Sequence, residues 1–368
     1  MEELSHEQLK ELEKKTKSRA KAKKVVAAIL ATLTGVSAMT VVSSVIAYDA
    51  FFTRYERPDY ALYPGEYCYS RVQSRLTRKE FFYRTDESHL KGYYYPSTQG
   101  KGLVVVAHGY HAGADDYIPA IEYFVNNGYN VFAYDCQGTY DSYGEGTVGM
   151  CQSLVDLDGT LTYLSNTAPY CNQKLFLFGH SWGGYAVSSV LALHDDIRAA
   201  ACIAPMNNGS TIMVEKGEQY AGKIASMSKP LFDAYQTILF GDYVNYNGVK
   251  GINSVDIPVL IAQGVDDTII TYDKQSITAH KAEITNPNVR YYEGYGAQGG
   301  HDSIWHSKES VAYKGEIDGR LKKLQMERGR DLTAQEKADF LQDVDHALYS
   351  AINPTLFAQI LEMFDSQI

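Results

Sequence analysis

Residues 175–187 read LFLFGHSWGGYAV, and this stretch decides the fold. Its first four residues are continuously apolar, which is typical of a β-strand that is covered on both faces. The residues from Gly184 onward favour a helix. The pattern Gly179-His180-Ser181-Trp182-Gly183 lies between the strand and the helix. A glycine-rich structural turn is the alternative, but the strand–turn–helix setting favours a serine that is held at a strained turn with its hydroxyl exposed.

Strands and helices alternate on both sides of this stretch. The predicted strands are Glu80–Arg84, Leu90–Tyr95, Leu103–Ala107, Val131–Tyr134, Leu175–Phe178, Ala199–Ile203, Val259–Ala262 and Val289–Tyr292. The predicted helices are Asp116–Asn127, Ser153–Leu164, Gly184–Leu193, Tyr272–Ala282 and Thr355–Phe364. The first two strands read as an antiparallel pair. The later alternation predicts an α/β fold with a doubly wound, mostly parallel sheet.

Two segments interrupt this alternation. Residues of about 205–256 lie between two strands and predict a helical cap insertion. Residues of about 307–350 are highly charged, and Thr333-Ala334-Gln335-Glu336 is a capping-box pattern that opens a helix. We expect this second insertion to be a solvated helical hairpin.

A serine hydroxyl is a weak nucleophile by itself, so a base and an orienting acid should accompany Ser181. The loop after the strand Val259–Ala262 contains Asp266 and Asp267, and either could be that acid. His301 lies on the loop after the next strand and is the predicted base. His306 and His280 are the alternative bases.

A developing oxyanion also needs backbone donors near the serine. The strand Leu103–Ala107 leads directly into His108-Gly109-Tyr110. We expect the N–H groups of Tyr110 and Trp182 to form this oxyanion hole. His108 is interpreted as a structural residue that holds the loop.

With these segments in place, the chain resembles the α/β-hydrolase superfamily over about residues 78–305. It is most similar to the branch that holds monoglyceride lipases and serine-aminopeptidase-like hydrolases. The stretch from Asp135 to Gly144 is similar to that branch's D-x-R-G-x-G-x-S-x-G loop, but Gln137 and Tyr140 replace the usual Arg and Gly.

The resemblance implies a catalytic triad of Ser181, Asp267 and His301. It favours Asp267 over Asp266, because the family's G-x-x-D-x-x-(V/I) pattern matches Gly264, Asp267 and Ile270. It also implies that the cap at 205–256 shapes the substrate pocket.

The N-terminus has a different character. Residues 1–24 contain eight Lys/Arg against five Glu, and residues 25–48 contain no charge at all. Twenty-four uncharged residues in a helix would span about 36 Å, enough for a bilayer core. We therefore predict a cytoplasmic basic tail (1–24), a transmembrane helix (25–48), a linker (49–77) and an extracytoplasmic hydrolase domain (78–368). A cleaved signal peptide and a buried core helix are the alternatives.

Aromatic residues at the outer boundary of this span suit an interfacial belt. They are Tyr48, Phe51, Phe52 and Tyr55.

Composition excludes several classes of protein. The net charge of the 368-residue chain is −10, which argues against nucleic acid as a partner. The five cysteines are too few for a disulfide scaffold, and none forms a CxxC pair. We interpret them mainly as buried apolar residues. We predict no metal and no cofactor, and the sequence leaves the oligomeric state open.

The sequence therefore predicts a membrane-anchored serine hydrolase that cleaves small or medium carboxylic esters. An aminopeptidase-like amidase on the same fold is the second hypothesis, because fold does not fix substrate. A surface-exposed binding protein with an inactive triad is the third.

Overall fold

The computed structural model describes residues 17, 21, 23, 45–46, 48–63, 67–221 and 229–368. The strands are β1 Lys79–Arg84, β2 His89–Tyr95, β3 Leu103–Ala107, β4 Asn130–Asp135, β5 Leu175–His180, β6 Ile197–Ile203, β7 Val259–Gly264 and β8 Val289–Gly294. The α-helices are α1 Tyr69–Val72, α2 Ile118–Asn126, α3 Gln152–Ser165, α4 Trp182–Val190, α5 Gly209–Ala221, α6 Lys229–Phe240, α7 Gly248–Asn253, α8 Lys308–Arg328, α9 Ala334–Leu341, α10 His346–Tyr349 and α11 Pro354–Asp365.

The eight strands form one sheet in the order β1-β2-β4-β3-β5-β6-β7-β8. The strand β2 pairs antiparallel with both β1 and β4, and every other pairing in the sheet is parallel. The prediction of a mostly parallel, doubly wound sheet is therefore confirmed. Its parallel strands all end at the same edge, which is where the loops of a functional site gather.

The continuous apolar runs reflect burial on both faces of the sheet. Along β3, Leu103 and Val105 pack toward α3 and α4, whereas Val104 and Val106 pack toward α2 and α11. All four side chains are almost fully buried. Because both sides are covered, the strands show no alternation of apolar and polar residues.

The last helix, α11, illustrates how the helices on one face of the sheet are held in place. Asn353 caps α11, because its side chain accepts a hydrogen bond from the N–H of Leu356 at 3.2 Å. Pro354 occupies the first helical turn, where its missing N–H costs nothing. Leu356, Phe357 and Ile360 are fully buried against the sheet, and each contributes about 1.5–3 kcal/mol through the apolar area it buries.

One predicted helix is wrong. Residues 272–282 do not form an α-helix; a 3-10 helix spans Ile277–Glu283, with a break at His280. The N–H groups of Gln275 and Ser276 both donate hydrogen bonds to the carbonyl of Thr271. The side chain of Ser276 then accepts from the N–H of Thr278 and starts a new, tighter element.

Residues 49–63 and 67–77 pack on the domain rather than forming the linker that we predicted. Phe52, Val72 and Leu76 are at most 3 % exposed. Arg57 forms ion pairs with Asp115 and, at 2.8 Å, with Asp141. The hydrophobic core of the domain therefore begins well before residue 78.

The aromatic residues assigned to an interfacial belt also pack on the domain. Tyr48 is 2 % exposed and lies 4.5 Å from Phe52 and 5.3 Å from Tyr235, measured between ring centroids. Tyr55 stacks on His111 at 4.8 Å. Large aromatic side chains are stabilised both at a membrane interface and in a protein core, and here they pack against the domain.

The predicted basic tail (1–24) and transmembrane helix (25–48) lie almost entirely outside the described residues. Within the part that is described, no helix combines the length and apolar character needed to cross a bilayer. Lys23 Nζ lies 3.4 Å from Asp49 Oδ1, although a membrane-spanning helix between them would place these two residues at opposite surfaces.

Candidate active site

Ser181 lies between the end of β5 and the start of α4, at a sharp turn. Its φ of 56° and ψ of −114° are a rare backbone conformation for a residue with a side chain. A hydrogen bond of 2.8 Å from its N–H to the carbonyl of Ile203 holds the turn to the neighbouring strand β6. The conformation that the sequence predicted for this serine is therefore present.

The two glycines of the motif are required by close approach of the backbone. A Cβ atom at Gly183 would lie 2.1 Å from the carbonyl oxygen of Ala107, and one at Gly179 would lie 2.3 Å from the carbonyl oxygen of Gly183. Any side chain at these positions would push α4 away from β3 and β5. The serine and the loop after β3 are brought together because this space stays empty.

The structure brings the three predicted triad residues into one hydrogen-bonded chain. His301 Nε2 lies 2.8 Å from Ser181 Oγ, and His301 Nδ1 lies 2.7 Å from Asp267 Oδ2. The three residues come from the loops after β5, β7 and β8, which end at the same edge of the sheet. This arrangement fits a base that takes the hydroxyl proton while the acid orients its ring.

Asp267 is held as a carboxylate by several donors. Its Oδ1 accepts from the N–H groups of Ile269 and Ile270, both at 2.8 Å, and its Oδ2 accepts from Gln263 Nε2 at 2.8 Å. Burial alone would raise the pKa of Asp267, but His301 and these two backbone N–H groups lower it below its usual value. Asp266 is exposed on the same loop, so Asp267 is the acid that meets His301.

Tyr110 lies on the loop after β3, and Trp182 is the first residue of α4, directly after Ser181. Within the described part of the chain, neither of their backbone N–H groups has a hydrogen-bond acceptor. The rings of the two residues lie 5.6 Å apart in an edge-on arrangement. Two unused donors beside a serine are what an oxyanion hole requires.

His108 occupies a structural position, as the sequence suggested. Its Nδ1 donates to the carbonyl of Gly109 at 2.7 Å, and its Nε2 accepts from the N–H of Cys136 at 2.8 Å. Burial lowers its pKa to about 4. The neutral ring ties the oxyanion loop to the loop after β4.

The alternative bases do not reach the serine. His280 Nδ1 is hydrogen-bonded to Glu283 Oε1 at 2.7 Å, and the residue is not among those that line the cleft around Ser181. His306 lines that cleft, but its Nε2 is hydrogen-bonded to Lys314 Nζ at 2.7 Å and not to Ser181.

One grouping of possible metal ligands occurs among the described residues: His180, His301 and Asp302. Both ring nitrogens of His301 are already engaged by Ser181 and Asp267. A metal ion at this place would have to displace one of these hydrogen bonds, so the group fits the triad better than it fits a metal.

A cleft of about 570 Å³ opens over Ser181 and His301. Its walls come from three regions: the N-terminal segment with Tyr55 and Tyr63, the oxyanion loop and its surroundings, and the insertion with Lys314 and Tyr349. Seven tyrosines line it: Tyr55, Tyr63, Tyr67, Tyr110, Tyr117, Tyr140 and Tyr349.

The described part of the predicted cap lies away from this cleft. None of the described residues between 205 and 256 lines it. Some of them line a separate cavity of about 310 Å³ with Cys151 and Tyr185. Phe232 and Tyr235 pack on Tyr48 instead. The pocket walls that sequence reasoning missed lie in the predicted linker and in the charged insertion, where the abundance of tyrosine was the one available signal.

Comparison with known proteins agrees with this geometry. Residues 98–250 match the family model described as serine aminopeptidase, S33. This match includes Ser181 and the oxyanion loop. Two structures of the Pyrococcus furiosus esterase Pf2001, in different crystal forms, have TM-scores of 0.52 and 0.51, at 18 % and 19 % identity. They cover 75 % and 74 % of this chain and 98 % of that esterase.

The chain has the α/β-hydrolase fold. Among curated proteins, the uncharacterized protein YfhR of Escherichia coli K12 is 24 % identical over 236 residues, which are 62 % of this chain and 76 % of that protein. The family match and the shared fold support the α/β-hydrolase superfamily and a hydrolase activity.

Proposed function

We propose that this protein is a serine hydrolase that cleaves small or medium carboxylic esters through an acyl-enzyme. The observation that carries the proposal is the chain of hydrogen bonds from Ser181 Oγ through His301 to Asp267, at 2.8 and 2.7 Å. A nucleophile, a base and an orienting acid within hydrogen-bond reach are the parts that acyl transfer needs.

In this mechanism, Ser181 Oγ attacks the ester carbonyl while His301 Nε2 takes the hydroxyl proton. The N–H groups of Tyr110 and Trp182 stabilise the oxyanion of the tetrahedral intermediate. His301 then returns its proton to the departing alcohol, and an acyl group remains on Ser181. A water molecule then attacks the acyl carbonyl while His301 takes one of its protons. The bond between the acyl carbon and Ser181 Oγ breaks, His301 returns the proton to Oγ, and the carboxylic acid is released. Asp267 fixes the ring tautomer throughout.

The ester substrate is the first choice because two solved structures with which this chain shares its fold are of an esterase. An amidase or aminopeptidase is the second candidate, and the description of the matching family model favours it. The third, a binding protein with an inactive triad, is disfavoured by the intact contacts of all three triad residues.

Replacement of the nucleophile tests the proposal. Ser181→Ala should abolish both fluorophosphonate labelling and the turnover of p-nitrophenyl esters, leaving at most about 10³–10⁴-fold catalysis over water. Ser165→Ala, at an exposed serine near the end of α3, is the matched control and should label and turn over like the wild type. Undiminished turnover by Ser181→Ala would end the serine-hydrolase proposal.

We also propose that the hydrolase domain is anchored to the cell membrane, with the N-terminus in the cytoplasm and the domain outside. The uncharged residues 25–48 behind eight basic residues support this. Membrane insertion requires the contact between Lys23 and Asp49 to break.

Protease treatment of intact cells and a carbonate wash test the topology. We expect external protease to digest the domain and carbonate to leave the full-length protein in the membrane. A domain protected from the protease would contradict the orientation. A soluble product that begins near Tyr48 would show instead that Ala47 is a cleavage site.

A further inference from the structure

A chain of hydrogen bonds connects the oxyanion loop to the base of the triad through two buried side chains. The N–H of Gly109 donates to Tyr117 Oη at 2.9 Å, and the same hydroxyl lies 2.9 Å from His180 Nδ1. On the other side of that ring, His180 Nε2 lies 3.3 Å from the carbonyl oxygen of His301. Tyr117 is 3 % exposed and His180 is 4 % exposed, so water competes little for these hydrogen bonds.

The direction of each hydrogen bond follows from its end groups. His180 Nε2 faces two acceptors, the carbonyl of His301 and, at 3.7 Å, Oδ1 of Asp302, so Nε2 carries the ring hydrogen. Burial lowers the pKa of His180 to about 4, so the ring is neutral and its Nδ1 is an acceptor. Tyr117 therefore donates to Nδ1, while its oxygen accepts from the N–H of Gly109. A single order of donors and acceptors satisfies the whole chain.

Gly109 is held through both of its peptide groups. Tyr117 accepts from its N–H, and His108 Nδ1 donates to its carbonyl at 2.7 Å. That carbonyl and the N–H of Tyr110 belong to one planar peptide group, so fixing the carbonyl also fixes the direction of the N–H. The contact with Tyr117 is close, since a Cβ atom at Gly109 would lie 3.0 Å from its hydroxyl. The Tyr117 hydroxyl thus anchors the residue that carries the oxyanion donor.

Ring packing keeps the two side chains of this chain in place. The ring of Tyr117 stacks on that of Trp305 at 5.5 Å, with 13° between their planes. The ring of His180 lies 5.9 Å from Trp305 and 5.0 Å from His301. His180 also directly precedes Ser181 in the sequence. The chain therefore touches the oxyanion loop, the nucleophile turn and the loop of the base, and a small misplacement of any of them costs rate.

We propose that Tyr117 and His180 are positioning residues for acyl transfer, whose hydrogen bonds hold the N–H of Tyr110 and the loop of His301 at the spacing that the tetrahedral intermediate requires. This inference rests on the proposed hydrolase function and deepens it by giving these two residues a role. They act through Gly109 and His301 rather than on the reacting atoms. Because the three hydrogen bonds form one series, breaking any of them should loosen the whole arrangement.

Removal of one hydroxyl tests the inference. Tyr117→Phe keeps the ring on Trp305 but leaves the N–H of Gly109 and Nδ1 of His180 without their partner. We expect kcat for p-nitrophenyl butyrate to fall about tenfold, with KM changed less than about threefold. Affinity for butaneboronic acid, whose boron would form a tetrahedral adduct with Ser181, should fall by a similar factor, because the adduct needs the same oxyanion donors. Fluorophosphonate titration normalises each rate to enzyme with a reactive serine.

Tyr129→Phe is the matched control. Tyr129 is also buried, and its hydroxyl donates to Asp365 at 2.9 Å, but the residue does not line the cleft. The control therefore loses an equal group and an equal hydrogen bond elsewhere in the domain. It can lower the midpoint of urea unfolding, but it should leave kcat and the affinity for butaneboronic acid within about twofold of wild type.

A second variant breaks the chain at its other end. His180→Asn places an amide oxygen near the position of Nδ1, where Tyr117 can still donate, but the shorter side chain cannot reach the carbonyl of His301. We again expect kcat to fall about tenfold. The double variant Tyr117→Phe/His180→Asn should lose about as much as the costlier single variant, because residues of one network are not additive.

Wild-type kcat in folded Tyr117→Phe, a loss confined to KM, or an equal loss of kcat in Tyr129→Phe would overturn this inference and leave the hydrolase proposal standing. A double variant whose loss is the product of the two single losses would do the same. If Tyr117→Phe did not fold, wild-type kcat in His180→Asn would decide against the inference and a tenfold loss with unchanged KM would support it. Turnover that survives Ser181→Ala would instead show that the hydrolase proposal has failed.

Discussion

The triad and the wall of the cleft are built in opposite ways. Ser181, Asp267 and His301 each lie on a short loop after a parallel strand of one sheet. Beyond the loops next to the triad, the wall comes from two segments that are far apart in sequence and belong to no strand of that sheet. They contribute Tyr55, Pro58, Tyr63 and Tyr67 and, from the insertion, Lys314, Tyr349 and Ser350. In the proposed function, the reacting groups thus come from the framework of the fold, and the surface for the substrate comes from its additions.

Because of this difference, substitutions in the two regions should have different effects. The triad depends on hydrogen bonds of 2.7 and 2.8 Å between side chains that a rigid sheet positions. The N-terminal wall depends on an ion-pair cluster in which Arg57 reaches Asp115, Asp141 and, at 3.7 Å, Asp135. Substitutions in the first region should change the rate of the reaction, and substitutions in the second should change stability.

The largest expected effect is at the triad acid. Asp267→Asn should lower kcat by about 10⁴, because an amide at this place favours the wrong tautomer of His301. The free energy of unfolding, measured in urea, should change far less than the rate. Steady-state kinetics with p-nitrophenyl esters measures the effect.

The neighbouring acid is the matched control for this prediction. Asp266→Asn makes the same chemical change at an exposed side chain of the same loop and should leave kcat within a few-fold of wild type. If the two results were exchanged, the acid of the triad would be Asp266, and the rest of the site would stand.

A smaller effect is expected in the wall. Arg57→Met should lower the free energy of unfolding by about 3 kcal/mol, because it removes the counter-charge of the buried Asp135 and one of the two arginines that pair with Asp115. Burial raises the pKa of Asp135 to about 7, against the opposing effects of the Ala114 N–H group and Arg57. Its native pKa lies above the unfolded value, so ionising Asp135 costs stability as the pH rises through about 7.

The loss in this variant should therefore be larger at pH 8 than at pH 5, because Asp135 is protonated at the lower pH and needs no counter-charge. Urea unfolding at both pH values measures it. Lys323→Met removes one partner of an exposed ion pair with Glu327 and should not shift either midpoint. Equal losses from Arg57→Met at the two pH values would show that Asp135 is not the group that Arg57 stabilises.

The sequence by itself determined the central sheet and the residues that now meet at its edge. The apolar runs at Leu103–Ala107 and Leu175–Phe178 are local signals, because a strand buried on both faces needs apolar residues at successive positions. The G-x-S-x-G turn is equally local, since a Cβ atom at Gly183 or Gly179 would lie only 2.1 or 2.3 Å from a backbone carbonyl oxygen. The loops carrying Asp267 and His301 followed from the order of the strands.

Only the tertiary structure decided what surrounds the serine. Residues 49–77 look like a linker because they contain no long periodic segment, yet Phe52 and Leu76 are buried by partners distant in sequence. Lys314 looks like one more charge on a solvated helix, and its contact with His306 depends on how α8 packs over that ring. A cleft wall is a set of contacts between separate segments, and such contacts leave no local pattern in the sequence of any one of them.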